Sequence, residues 1–108
     1  MSKESDIITA INHYLNYLEN GNKLLFIRNN SGAFLNPKGQ FYKMGKAGSP
    51  DFIIFLPKGE CIHCEVKREK AKQNMAQLEW EIKIKQLGYK YFIVRSVDKI
   101  SDIIKRYI

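Results

Sequence analysis

Two carboxylates and a lysine stand at the ends of neighbouring apolar runs. Asp51 follows Gly48-Ser49-Pro50 and precedes Phe52-Ile53-Ile54-Phe55-Leu56, and Glu65-Val66-Lys67 closes the run that begins at Cys61. Each run reads as a strand, and Pro57-Lys58-Gly59-Glu60 between them reads as a turn. Antiparallel pairing across that turn sets the start of one strand beside the end of the other, and so Asp51 beside Glu65. Alternation along the strand points Glu65 and Lys67 to one face and Val66 to the opposite, buried one. Such a trio suits metal-assisted hydrolysis of a phosphodiester. Magnesium prefers hard oxygen ligands and usually takes one or two protein carboxylates together with substrate phosphate oxygens. Asp51 and Glu65 are the candidate ligands, and the backbone carbonyl of Val66 is a third. Lys67 is placed to orient the attacking water or to stabilise developing negative charge. No nucleophilic side chain is required.

The charge distribution agrees with a phosphate substrate. The formal net charge is +7, but residues 22 to 48 hold five bases and no acid, and residues 67 to 90 hold seven bases and three acids. The segment carrying the two acids, 49 to 66, sums to −2. Basic flanks around an acidic centre favour a polyanion such as nucleic acid, because each neutralised phosphate releases counterions. Lys43, Lys46, Arg68, Lys70 and Lys72 read as a diffuse phosphate-binding field, and Arg28, Asn29, Asn30 and Arg95 as further nucleic-acid contacts.

The elements that must position these groups are legible in the periodicity. Ile7, Ile8, Ile11, Tyr14, Leu15 and Leu18 recur at helical spacing, with acids in the first turn and Asn20-Gly21 as the stop. Leu24 to Ile27 reads as a largely buried strand. Ser31 to Gly48, with Gly32, Pro37, Gly39 and Gly45, reads as loops around one partial strand at Phe41 to Met44. A second helix places Met75, Leu78 and Ile82 on one stripe and Trp80, Ile84 and Leu87 on another, which predicts cover on two sides. Tyr91 to Val94 is then a strand. Val97, Ile100, Ile103, Ile104 and Tyr107 define a last helix, N-capped by Ser96, whose apolar face is expected to pack or to dock a partner. The order α-β-(β)-β-β-α-β-α predicts an α/β fold, a mixed central sheet flanked by helices, with the strand, helix, strand unit from Glu65 to Val94 running to a parallel neighbour. The 108 residues are expected to form one domain. The start of the chain lacks a signal-peptide pattern and no apolar run is long enough to span a bilayer, so a cytoplasmic protein with no membrane partner is expected.

Pro50-Asp51 followed by Glu65-Val66-Lys67 resembles the PD-(D/E)XK motif of the restriction-endonuclease-like nucleases. With Arg28-Asn29-Asn30-Ser31-Gly32-Ala33, Gly48-Ser49, Gln77, Gly88 and Val94-Arg95-Ser96-Val97-Asp98, the arrangement is similar to the VRR-NUC nucleases over nearly the whole chain. Where the family name spells Val-Arg-Arg, this chain has Val94-Arg95-Ser96, without the second arginine. The resemblance implies a single VRR-NUC nuclease domain over residues 1–108. It implies a Mg2+-dependent endonuclease, with Mn2+ as a substitute ion, in which Asp51 and Glu65 bind the metal and Lys67 is the catalytic lysine. A glutamate of the first helix would complete the acidic cluster; Glu4 is the first choice, against Asp6 and Glu19. Gln77 matches a glutamine beside the family's active site. Stand-alone members resemble junction-resolving enzymes, and one small domain carries one site, so the expected form is a homodimer cutting branched DNA such as four-way (Holliday) junctions. The alternatives are a flap, nick or duplex nuclease of a phage or mobile element, and a binding module without catalysis.

Two other patterns are read as packing. Cys61 and Cys64 have a dithiol spacing, but on a strand residues three apart face opposite ways. Trp80, Tyr89 and Tyr91 have the chemistry to stack on unpaired bases, and core or dimer packing is the more frequent fate of such residues.

Overall fold

The computed structural model describes residues 3–29 and 32–108, and within 32–35 and 41–44 the backbone alone. Its elements are helix α1 (Glu4–Asn20), strands β1 (Leu25–Arg28), β2 (Gly32–Leu35), β3 (Phe41–Met44), β4 (Phe52–Phe55) and β5 (Cys61–Val66), helix α2 (Met75–Gln86), strand β6 (Lys90–Val94) and helix α3 (Val97–Ile104). The four-stranded sheet has the order β1-β4-β5-β6. Its first two pairings are antiparallel, and β5 with β6 is parallel across the α2 crossover. The mixed sheet with helices is as expected. One strand is added to the expected order: Gly32–Leu35 pairs with Phe41–Met44 as a separate antiparallel hairpin. Asn36 closes its turn by accepting from the backbone N–H groups of Lys38 and Gln40 through its side chain, an Asx turn that stands where the glycines and proline suggested only loop.

Alternation sorts the sheet into two faces. One carries Phe52, Ile54, Ile62, Cys64, Val66 and Val94, which join Ile7, Ile11 and Leu15 of α1 and Ile100, Ile103 and Ile104 of α3 in a single core. Each large side chain withdrawn there contributes about 1.5–3 kcal/mol. Tyr14 Oη lies 3.2 Å from Ser101 Oγ and ties the two helices together. The apolar face of α3 is thus consumed by the core, and its isoleucines are not a docking surface. Cys64 lies in that core, while Cys61 faces the other way and is partly exposed, so the two thiols diverge as the strand period requires.

The opposite face is covered only in part. Helix α2 lies over β5 and β6, where the Trp80 indole N–H donates to His63 Nδ1 at 3.1 Å, and Gln73 donates to both Glu81 and the Tyr91 hydroxyl. Residues Trp80, Glu81 and Ile84 therefore turn toward the sheet. Met75, Leu78, Ile82 and Leu87 are exposed, so among the described residues α2 is covered on one side, not two. Beyond its reach, Leu25, Ile27 and Phe55 are exposed as well. Strand β1 is a sheet edge with one open face rather than the largely buried strand its composition suggests. No helix among the described residues is long and apolar enough to cross a membrane.

Candidate active site

The hairpin register delivers the two acids to one another. Phe52 pairs with Cys64, so the residue before β4, Asp51, stands beside Glu65 and Val66. Asp51 Oδ2 accepts from the Val66 N–H at 2.8 Å, which fixes the carboxylate against the end of β5. Glu65 is 2% exposed, and its Oε2 is a buried oxygen without a hydrogen-bond partner among the described residues. Burial, then the hydrogen bond and negative charge of Asp51, push the Glu65 carboxyl up to about 9, against a partial pull downward from Lys67. A carboxyl held this way is a strong site for a positive charge. Lys67 continues the strand: its N–H donates to the Val94 carbonyl at 3.0 Å, and its ammonium makes no ion pair with a described residue.

Of the three acids on α1, Glu4 approaches this pair closely enough for its charge to raise Glu65 further. Glu19 is turned elsewhere, its Oε2 accepting from the Phe26 N–H at 3.2 Å, and Asp6 lines a groove with Arg95. Among the described residues no three His, Cys, Asp or Glu side chains form a closed ligand cluster. What the site offers a divalent cation is two adjacent carboxylates, one unpartnered buried oxygen and a third acid nearby. That set fits a magnesium-like ion, which keeps most of its shell for water and phosphate.

The turn carrying Asp51 is held by polar residues whose roles are not legible in the sequence. Asn29 Nδ2 donates to Ser49 Oγ at 2.8 Å and to the Pro50 carbonyl at 2.9 Å, and its N–H donates to the Asp51 carbonyl at 2.8 Å. Ser49 Oγ donates in turn to the Lys46 carbonyl at 2.6 Å. Arg28 Nη1 donates to the Asn29 and Asp51 carbonyls, stands 3.9 Å from Asp51 Oδ1, and lies over the Phe52 ring. Arg28 and Asn29 thus sit at the site as groups that position Asp51. Arg95 acts in a comparable way, its Nη1 donating to the carbonyls of Arg68 and Ala71 and so clamping the connection between β5 and α2. Gln77 closes a capping box, its Oε1 accepting from Asn74 N–H while its own N–H donates to Asn74 Oδ1.

Lys46, Arg68, Lys70 and Lys72 are exposed, Lys46 in the turn before Asp51 and the other three in the connection that follows Lys67. Asn30 lies outside the described residues, as does the side chain of Lys43.

Gly48 brings α2 against this turn. Its φ is +82°, and a Cβ there would meet the Ala76 carbonyl oxygen at 2.1 Å and the Gln77 nitrogen at 3.1 Å. Gly48→Ala is therefore expected to destabilise the fold by at least about 1–3 kcal/mol, the range for a strained backbone alone, and to lower activity by shifting Asp51. Urea unfolding checks the first; an unchanged midpoint would show that α2 does not press on the turn.

No protein-family model matches the chain, and no curated protein matches it. A solved structure described as a VRR_NUC domain aligns with it over 100% of both chains, with a TM-score of 0.67 and 23% sequence identity. The likeness is one of fold, and it covers every element that builds the site: this chain folds as a VRR_NUC domain.

Proposed function

We propose that the chain is a VRR-NUC nuclease, a Mg2+-dependent endonuclease that hydrolyses DNA phosphodiesters at Asp51, Glu65 and Lys67. The observation that carries this reading is the buried Glu65 carboxyl beside Asp51, with an unpartnered oxygen and a raised affinity for its proton. A purely structural acid would have both oxygens paired or exposed, because a buried polar atom without a partner is costly. Two acids kept together at the mouth of a sheet, in a chain of net charge +7, are suited to a cation that arrives with a phosphate.

Asp51 and Glu65 would hold the metal, with the Val66 carbonyl and Glu4 as candidates for further oxygens. When bound, a divalent cation supplies charge neutralisation at the attacked phosphate and acidifies a water. Asp51 is oriented for this by the Val66 N–H, and Arg28 and Asn29 keep its backbone in place. Lys67, on the face it shares with Glu65, brings a positive charge to the reacting phosphate. Gln77 lies on the first turn of α2 against Gly48, and its amide nitrogen is the part of it left to reach toward substrate. The exposed lysines and Arg68 form the phosphate field.

The substrate we infer is branched DNA such as a four-way junction, cut by a homodimer, since two strands require two sites. Cleavage of a junction, a flap and a linear duplex of shared sequence, with and without Mg2+, tests the reading. The wild type is expected to cut the junction fastest and only with the metal, and Lys67→Ala to lower the rate by about 10²–10³-fold, as for loss of one charge-stabilising group. Binding of all three DNAs with no cleavage would leave a binding module. Light scattering is expected to give about twice the 12.6 kDa of one chain; a mass near 12.6 kDa would remove the dimer.

A further inference from the structure

A recess opens beside the turn that precedes Asp51. A groove of about 430 Å³ runs between the turn before Asp51 and α2, with Trp80, Leu87 and Ala47 as apolar lining and Lys46, Lys83 and Glu79 as its charged residues. Its indole is anchored: the Trp80 N–H donates to Nδ1 of buried His63. The ring is thus held in one orientation, half-buried against His63 as a packed residue is, while part of it lines the groove.

Two connections tie the groove to the acids. Ala76, which lines it, is the residue whose carbonyl presses on Gly48, three positions before Asp51. His63, which holds Trp80, shares a sheet face with Glu65 two residues further on, roughly 7 Å along the strand. The groove and the acids are therefore close enough for one molecule to span both.

We propose that this groove receives an unpaired nucleobase next to the scissile phosphate, stacked on Trp80, with Lys46 and Lys83 meeting the flanking phosphates. The proposal rests on the nuclease reading and adds to it the feature of DNA that the protein selects. A base inside a duplex has both faces stacked on neighbours, so only an unpaired or extruded nucleotide can offer a face to the indole. Aromatic stacking accepts any base, so the groove would select for strand geometry without selecting for sequence. Among the described residues Glu79 is the one acid in the lining, set against two lysines, and it offers an acceptor to exocyclic amino groups.

Trp80 is the only tryptophan in the chain, so its emission reports on the groove directly. The experiment titrates wild-type protein in EDTA, where hydrolysis is blocked, with a flap carrying one unpaired nucleotide at the branch, the same flap with that nucleotide abasic, a four-way junction and a linear duplex. DNA anisotropy is followed in parallel. Quenching by the flap and the junction, little quenching by duplex or abasic flap, and weaker binding of the abasic flap are expected. Trp80→Ala should weaken flap binding by roughly 5- to 100-fold and leave duplex binding unchanged. Ala47→Leu fills the groove from an exposed position, and should reproduce that loss without disturbing the core.

Anisotropy that rises with no change in Trp80 emission, or equal quenching by duplex and abasic flap, overturns the groove and leaves the nuclease. Anisotropy that does not change overturns the nuclease reading and the groove with it. Emission that shifts with protein concentration alone shows a second copy covering Trp80, and also overturns the proposal.

Discussion

Asp51→Asn is expected to lower Mg2+-dependent cleavage by more than about 100-fold while binding of the same DNA in EDTA stays equal or tightens. The substitution keeps the shape of the side chain and an oxygen to accept from the Val66 N–H, now made at 2.8 Å, so the hairpin end and its register have no reason to change. What it removes is one negative charge. Loss of a group that merely supports a metal ligand typically costs 10- to 100-fold, and a direct ligand should cost more. Binding moves the other way because an acid beside a phosphate repels it, and the net charge of +7 rises by one. Single-turnover cleavage with anisotropy on the same DNA separates the two effects. Unchanged cleavage by this variant would sink the assignment of the site. A parallel loss of cleavage and binding would instead mark Asp51 as structural, through its contact with Arg28.

How much of this site can be read from the sequence depends on the kind of interaction. The Asp51 and Glu65 juxtaposition is legible because it follows from a short turn and strict alternation, both local. The first and last helices are legible for the same reason: Ile7, Ile11 and Leu15, then Ile100, Ile103 and Ile104, repeat at helical spacing and all fall in the core. Periodicity misjudges helix α2 because its apolar residues surround it. Met75, Leu78 and Ile82 form as good a stripe as Trp80 and Ile84, and the choice between them is made by His63 and Tyr91 on a sheet that periodicity cannot locate. Composition misjudges strand β1 for a related reason. Leu25 and Ile27 have strand composition, and only the finite width of α2 leaves them open.

Whereas the Asn74-x-x-Gln77 capping box is a local pattern that can be read in the sequence, the roles of Asn29, Arg28 and Arg95 are invisible there for a different reason. Each is a polar side chain bonded to a backbone group, and for Asn29 and Arg95 the partners lie more than 19 residues away. No composition or period records such a bond. The structure gives each of them a bond inside the protein: Asn29 and Arg28 hold the Asp51 turn, Arg95 holds the segment leading to α2, and Gln77 caps that helix. Arg95 keeps its clamp without the second arginine of the family name. Ser96, which stands in that place, caps α3 by accepting from the Lys99 N–H.

Glu65→Gln should be catalytically dead, and in EDTA it should also abolish a pH dependence of stability that the wild type is expected to show. The Glu65 carboxyl in the fold is pushed up to about 9 from an ordinary value of 4.5. A raised carboxyl holds its proton more tightly in the folded chain than in the unfolded one. Its contribution to stability is fully present below the unfolded value and is lost as pH rises through the folded value. His63 has the opposite sign: burial lowers its pKa, so its contribution grows as pH rises and is complete once the unfolded chain has also lost that proton, near its ordinary 6.5. The burial-raised thiols of Cys61 and Cys64 begin to matter only near their ordinary 9.0. Between about pH 7 and 8.5 the slope therefore belongs chiefly to Glu65. Over that window the wild-type melting temperature in EDTA should fall, and that of Glu65→Gln should stay flat and lie above it. The amide removes the buried charge and can donate a hydrogen bond to Asp51. Adding Mg2+ should raise the wild-type melting temperature in proportion to RT ln(1 + [Mg2+]/Kd), most at the upper end of the window, where less of the carboxyl must give up a proton to bind the ion. Glu65→Gln should show little of that gain. Parallel wild-type and variant profiles in EDTA would mean that Glu65 is relieved by some other partner, and equal stabilisation of both by Mg2+ would place the ion elsewhere.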